Sequence, residues 1–143
     1  MNDLSYVDVS VGDEIAPLPF PLDPSFIVAT AIASRDYQEV HHDPVLATAR
    51  GSKDIFMNIL TTNGLIGRYV TDWAGPNAVI RKVAIRLGAP NYPGDTMTVT
   101  GTVTRKQDGE IEVAVIGANN LGNHVTGTVV LTLSGSSSDG AEQ

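Results

Sequence analysis

The sequence has 143 residues, of which 42% are apolar and 17% charged, and it contains no cysteine. That is enough apolar material to build the core of one domain of about 100–150 residues, so disorder of the whole chain is excluded, as are disulfides, thiolate zinc sites and a cysteine nucleophile. The net charge of −7 is unevenly placed: Asp3, Asp8, Asp13, Glu14 and Asp23 precede the first base, Asp139 and Glu142 lie near the end, and the body between is balanced, without the basic stripe that nucleic-acid binding needs.

Residues 1–25 read as an acidic, extended N-terminal segment, because Pro17, Pro19, Pro21 and Pro24 oppose helix. Ahead of the prolines, Val7, Val9 and Val11 alternate with Asp8 and Ser10, which predicts a short edge strand. Asp23 followed by Pro24 is a helix start signal, and a helix is predicted through Phe26, Ile27, Ala31 and Ile32. A polar loop follows, then a short helical turn over 44–49 that Gly51 ends. The longest helix is predicted over 54–73, where Ile55, Ile59, Ile66 and Val70 recur at helical spacing; Gly64 and Gly67 inside it suggest a close neighbour, and Gly75-Pro76 stops it.

Everything after that alternates with period two. Val79, Val83, Ile85 and Leu87 share one parity, then Met97, Val99 and Val103, then Ile111, Val113 and Val115, then Val125, Val129, Leu131 and Leu133. The last three runs are joined by short turns at 107–109 and 120–122, which predicts an antiparallel meander with one buried face. One long helix and one long-stranded sheet bury each other's apolar faces in an α+β layer arrangement, with the helix wrapped by a curved sheet: the hotdog architecture. The expected organisation is a single domain over 1–134 and a disordered tail over 135–143. An open sheet edge in so small a domain predicts a partner. No apolar run reaches the roughly 18 residues of a membrane span, and the acidic N-terminus is unlike a signal peptide, so a cytoplasmic protein with no membrane partner is expected.

The densest polar segment is 33–43, ASRDYQEVHHD. Asp36 and His41, five apart in a loop, could converge on one water as general acid and base, an arrangement worth about 10²–10⁴ in rate. Equally, Asp36 could cap a turn and His41 could be a satisfied buried polar group. A metal site is not expected, since His41, His42 and Asp43 diverge as sequence neighbours and His124 lies on a distant strand. The unpaired N–H groups at the start of the long helix, between Ser52 and Ile59, could stabilise a thioester oxyanion. Arg81, Lys82 and Arg86 could meet the phosphates of a nucleotide-bearing acyl carrier or simply form a solvated sheet face.

Residues 33–43 resemble the D-x4-H-x-D motif of MaoC-like (R)-specific enoyl-CoA hydratases. The strings GSKDIFMNIL (51–60), RYVTDWAGP (68–76) and LGAPNYPGDT (87–96) are similar to the small MaoC-like subunits of bacterial steroid side-chain enoyl-CoA hydratases. The likeness runs from Asp23 to about Leu133. It implies that Asp36 is the general base and His41 its partner, holding the water added across C2=C3, with Gln38, Asp43, Asn58 and Ile59 as substrate contacts and Asp43 also ordering the loop. It implies a steroid side-chain enoyl-CoA substrate, no cofactor, and a larger MaoC-like partner subunit, two pairs making a heterotetramer. Two departures stand out: Gln38 replaces the usual asparagine, and Asn58-Ile59 replaces the usual His-Gly step at the helix start. A non-catalytic subunit completing a partner's site and a hotdog thioesterase are the competing readings.

Overall fold

Five antiparallel strands form one sheet in the order β1-β3-β4-β5-β2, seen in a computed structural model that describes residues 3–135. The tail expected over 135–143 lies outside the described residues except for Gly135. The strands are β1 (Glu14–Pro21), β2 (Val79–Leu87), β3 (Thr96–Gln107), β4 (Glu110–Asn119) and β5 (Gly122–Thr132); the helices are α1 (Pro24–Ala33), α2 (Pro44–Ala49) and α3 (Ile59–Ala74).

The β3-β4-β5 meander follows its sequence pattern. Asp108 and Gly109 both take positive φ, 53° and 78°, as a tight two-residue hairpin turn requires. Met97, Val99, Val103, Ile111, Val113, Val115, Val125, Val129 and Leu131 are all buried on one face. Against that face lies α3, which contributes Ile66, Val70 and Ala74, each with no exposed surface. Full burial of a side chain such as Ile66 contributes about 1.5–3 kcal/mol. The helix packs closely at Gly101 of β3, where a Cβ would stand 3.1 Å from the Tyr69 ring. This is the α+β hotdog arrangement the pattern predicts.

Four local expectations are corrected. The edge strand forms through the prolines rather than before them: Val7 falls in or beside a 3₁₀ turn at Tyr6–Asp8, while Pro17, Pro19 and Pro21 all lie in β1. β1 pairs only with β3, and prolines of one parity keep their missing donors on the solvent side of an edge. A register shift between Ile15 and Leu18 frees the carbonyls of Ile15 and Ala16, which share the Tyr69 hydroxyl proton at 3.2 and 3.1 Å. Burial pushes that phenol's pKa up to about 12.

The long helix starts at Ile59, not at Asp54. Phe56 N–H donates to the Val40 carbonyl and Met57 N–H to the Asn91 carbonyl, so 55–58 stays out of the helix as a bridge between the segment at Val40 and the loop after β2. Gly64 has open space where a Cβ would stand, and only Gly67 has a neighbour, Ile80 Cδ1 at 3.5 Å. In β2 a register shift between Ile80 and Lys82 breaks the expected parity at the start of the strand: Ile80, not Val79, is half-buried with Val83 and Ile85, while Leu87 is exposed at the strand's end.

Candidate active site

The polar loop begins where α1 ends. Asp23 caps the start of α1 by accepting from Ser25 N–H at 2.7 Å, as its sequence signal predicts. At the other end Arg35 adopts φ 57°, its N–H donates to the Ile32 carbonyl, and Asp36 N–H donates to the Ala31 carbonyl. That pair of bonds is a Schellman closure with arginine in the left-handed position where glycine is usual. It turns the chain sharply and delivers Asp36 to the mouth of a cleft. Gln38 then opens a 3₁₀ turn at Glu39–His41 that brings His41 back towards Asp36.

Asp36 Oδ2 and His41 Nε2 are 3.4 Å apart, with the His41 side chain 9% exposed and that of Asp36 23%. His41 Nδ1 is 2.7 Å from the Phe56 carbonyl, an acceptor only, so Nδ1 carries the proton. Nε2 is therefore the nitrogen left facing the carboxylate. In the neutral imidazole two acceptors, Nε2 and Oδ2, lie side by side, and a water on the cleft side of the pair can hydrogen-bond to both. The Phe56 ring meets the imidazole edge to face at 4.9 Å and fixes its plane.

Asn58 completes the setting from below. Its Nδ2 donates to Asp36 Oδ2 at 3.1 Å and to Ser34 Oγ at 3.0 Å, while its Oδ1 accepts from Thr61 N–H at 3.0 Å as the cap of α3. The residue is almost fully buried. One side chain thus ties the carboxylate to the start of the helix. The family resemblance implied Asn58 as a substrate contact; its polar groups are instead engaged inside the chain. Ile59, the first residue of α3, does reach the cleft, and the N–H groups of Ile59 and Leu60 find no acceptor among the described residues.

The cleft has a volume of about 370 Å³ and is walled by Asp36, Gln38, His41, Ile59, Pro90 and His124, among others. Pockets for small molecules typically hold roughly 300–1,000 Å³, so this is room for a reacting group with more supplied from outside the chain. His124 is the unexpected member. It sits on β5 with 2% exposure, its Nδ1 2.7 Å from the Ala89 carbonyl and its Nε2 2.8 Å from Thr62 Oγ1. Burial pushes its pKa below the usual histidine value. No spacing rule links residue 124 to residues 36 and 41; only the β5-to-loop contact brings them to one cavity.

The other predicted residues lie apart. Asp43 caps α2 by accepting from Val45 and Leu46 N–H, at 3.0 and 3.1 Å, and does not line the cleft. That fits the loop-ordering role and not a substrate contact. His42 points away, its Nε2 3.2 Å from the Tyr37 carbonyl. Arg81, Lys82 and Arg86 are exposed on β2 outside the cleft lining, although Leu87, Gly88 and Pro90 just beyond them form one wall. Among the described residues no three histidine or acidic side chains converge as metal ligands would.

A family model for the MaoC like domain matches residues 9–124. The chain belongs to the MaoC-like family. Over 123 residues, 86% of this chain and 95% of the relative, it is 56% identical to the 3-oxo-4,17-pregnadiene-20-carboxyl-CoA hydratase beta subunit of Mycobacterium tuberculosis. The structure of the ChsH1-ChsH2 complex from the same organism contains a chain that superposes with a TM-score of 0.85 at 56% identity, covering 87% of this chain and 98% of that one. The unliganded R-hydratase PhaJ1 of Pseudomonas aeruginosa superposes at 0.84 with 21% identity, covering 92% and 86%, and so shares the MaoC-like fold.

Proposed function

We propose that this chain is the small subunit of an enoyl-CoA hydratase that adds water across the C2=C3 bond of a steroid side-chain enoyl-CoA thioester. The observation that carries this reading is the pairing of Asp36 Oδ2 with His41 Nε2 on the wall of an open cleft, in a chain 56% identical to a steroid-CoA hydratase subunit. A water hydrogen-bonded to both acceptors from the cleft side attacks C3. As the C3–O bond forms, the dyad takes one proton from the water, the C2=C3 π pair moves to C2, and charge builds on the thioester oxygen. The Ile59 N–H, on the cleft wall at the positive end of α3, is the group to receive that charge, an interaction worth a few kcal/mol per donor. The dyad then returns a proton to C2. The thioester survives, and because water addition is redox-neutral the step needs no redox cofactor.

The same reading supplies a partner. β2 is a sheet edge next to the cleft, with Val79 and Leu87 exposed along it, and the related chain in M. tuberculosis is described in a ChsH1-ChsH2 complex. We infer a larger subunit with its own MaoC-like domain, two such pairs forming a heterotetramer, the partner enlarging the cleft to take a steroid. No helix among the described residues is long and apolar enough to cross a membrane, and a cytoplasmic setting accords with a CoA-thioester substrate.

The test is loss of enoyl-thioester absorbance with a steroid enoyl-CoA, using this chain co-expressed with the partner subunit. Asp36→Asn is expected to lower kcat by about 10²–10⁴ with the fold intact. Wild-type turnover in that variant would move the chemistry to the partner. Release of free thiol, followed with a thiol reagent, would replace hydration by thioester hydrolysis.

A further inference from the structure

We propose that His124 is a positioning residue of the hydration site: its imidazole, in the Nδ1–H form, sets the separation between the first turn of α3 and the loop after β2. This rests on the hydratase reading. These two segments are the cleft walls between which the thioester has to lie, with Ile59 on one side and Gly88 and Pro90 on the other.

The hydrogen bonds leave one consistent direction. The Ala89 carbonyl can only accept, so His124 Nδ1 donates to it at 2.7 Å. Nε2 of the neutral ring then accepts, and the Thr62 hydroxyl at 2.8 Å must be its donor. Thr62 sits in the first turn of α3, and its other potential acceptor, the Asn58 carbonyl, is more distant at 3.3 Å. With both nitrogens committed, His124 has no proton to exchange with a substrate; its part is to hold. The backbone reinforces the hold: Gly88 N–H donates to the His124 carbonyl at 2.8 Å and Ala89 N–H to the Asn123 carbonyl at 2.9 Å. A Cβ on Gly88 would stand 2.4 Å from the Asn123 carbonyl oxygen, so that wall is pressed against β5. Three segments meet at one buried ring, and a shift of the α3 wall displaces the Ile59 N–H and the Asn58–Asp36 bond. Misplacement of reacting groups by about 1 Å can cost on the order of 10²-fold in rate.

The experiment uses the complex with the partner subunit and compares Thr62→Val, Thr62→Ser and His124→Asn. Asparagine at 124 keeps an N–H for the Ala89 carbonyl while cutting the link to Thr62; valine at 62 cuts the same link and leaves the ring. Both are expected to lower kcat about tenfold with KM within about twofold, while Thr62→Ser returns to near the wild-type rate. Nitrogen-15 NMR of the wild-type ring is expected to show the neutral Nδ1–H tautomer. Wild-type kcat in both Thr62→Val and His124→Asn, or an Nε2–H tautomer, would overturn the assignment. The tautomer is read without substrate, so failure of the wild-type complex to hydrate the thioester counts against the hydratase reading, whereas an Nε2–H ring counts against this assignment alone.

Discussion

His41 and His124 begin alike and end in different chemistry. Each is buried, each lines the same cleft, and each places Nδ1 2.7 Å from a backbone carbonyl, Phe56 in one case and Ala89 in the other. That bond fixes the tautomer, and the character of each residue is set by what faces the remaining nitrogen. For His41 it is the partly exposed carboxylate of Asp36 at 3.4 Å, which leaves a site for water. For His124 it is the hydroxyl of Thr62 at 2.8 Å, which closes the ring off. An imidazole in a cleft is a proton-transfer group only if its second nitrogen is left open to the reacting atoms.

The comparison can be broken most strongly by the same change at both sites. Asparagine preserves the Nδ1-type donor in each, so the folds should survive. His41→Asn is expected to lower kcat by about 10²–10⁴, against about tenfold for His124→Asn. Equal losses would erase the distinction between a catalytic and a positioning histidine. Next in size is Asn58→Ala, which removes the α3 cap and the donor to Asp36 together. A stability loss of about 1–2 kcal/mol in denaturant unfolding should accompany a fall in kcat. A fall in stability with unchanged turnover would leave Asn58 a cap alone.

Acid should also expose the cost of burying His124. Burial holds His124 below its unfolded value, so the folded chain resists binding a proton that the unfolded chain accepts below about pH 6.5. The stabilising contribution of the neutral ring is present above that value and is lost as pH falls towards the folded pKa. Unfolding midpoints measured at pH 7 and pH 5.5 should show this decline in the wild type and a smaller one in His124→Asn. The smallest expected effect lies at the loop entrance. Arg35→Gly relieves a left-handed arginine at a position where glycine is favoured, and a gain of less than about 1 kcal/mol is expected, since glycine also loosens the unfolded chain. A thermal melt settles its sign.

Much of the frame was legible because its determinants are local. Asp23-Pro24 and Asp43-Pro44 start helices through bonds that close within three residues, and Asp108-Gly109 makes its turn through its own dihedrals. The alternation of Ile111, Val113 and Val115 needs only a buried face to become a strand. Expectations failed where a distant partner took over. Pro17, Pro19 and Pro21 form a strand because β3 offers an edge that asks nothing of their missing donors, and 55–58 is held out of the helix by Val40 and Asn91. At Ile80 a one-residue shift in the β2–β5 ladder reversed the faces.

The sequence by itself determined the reactive loop: the spacing of Asp36 and His41 and the capping signals around them are short-range properties of the chain. The tertiary structure decided which side chains serve the pair. Asn58 was turned inwards to hold Asp36, and His124 was carried from β5 into the cleft. A hydrogen bond between residues 22 or 62 positions apart depends on where α3 and β5 come to rest, and that is settled by the packing of the whole core rather than by any nearby residue.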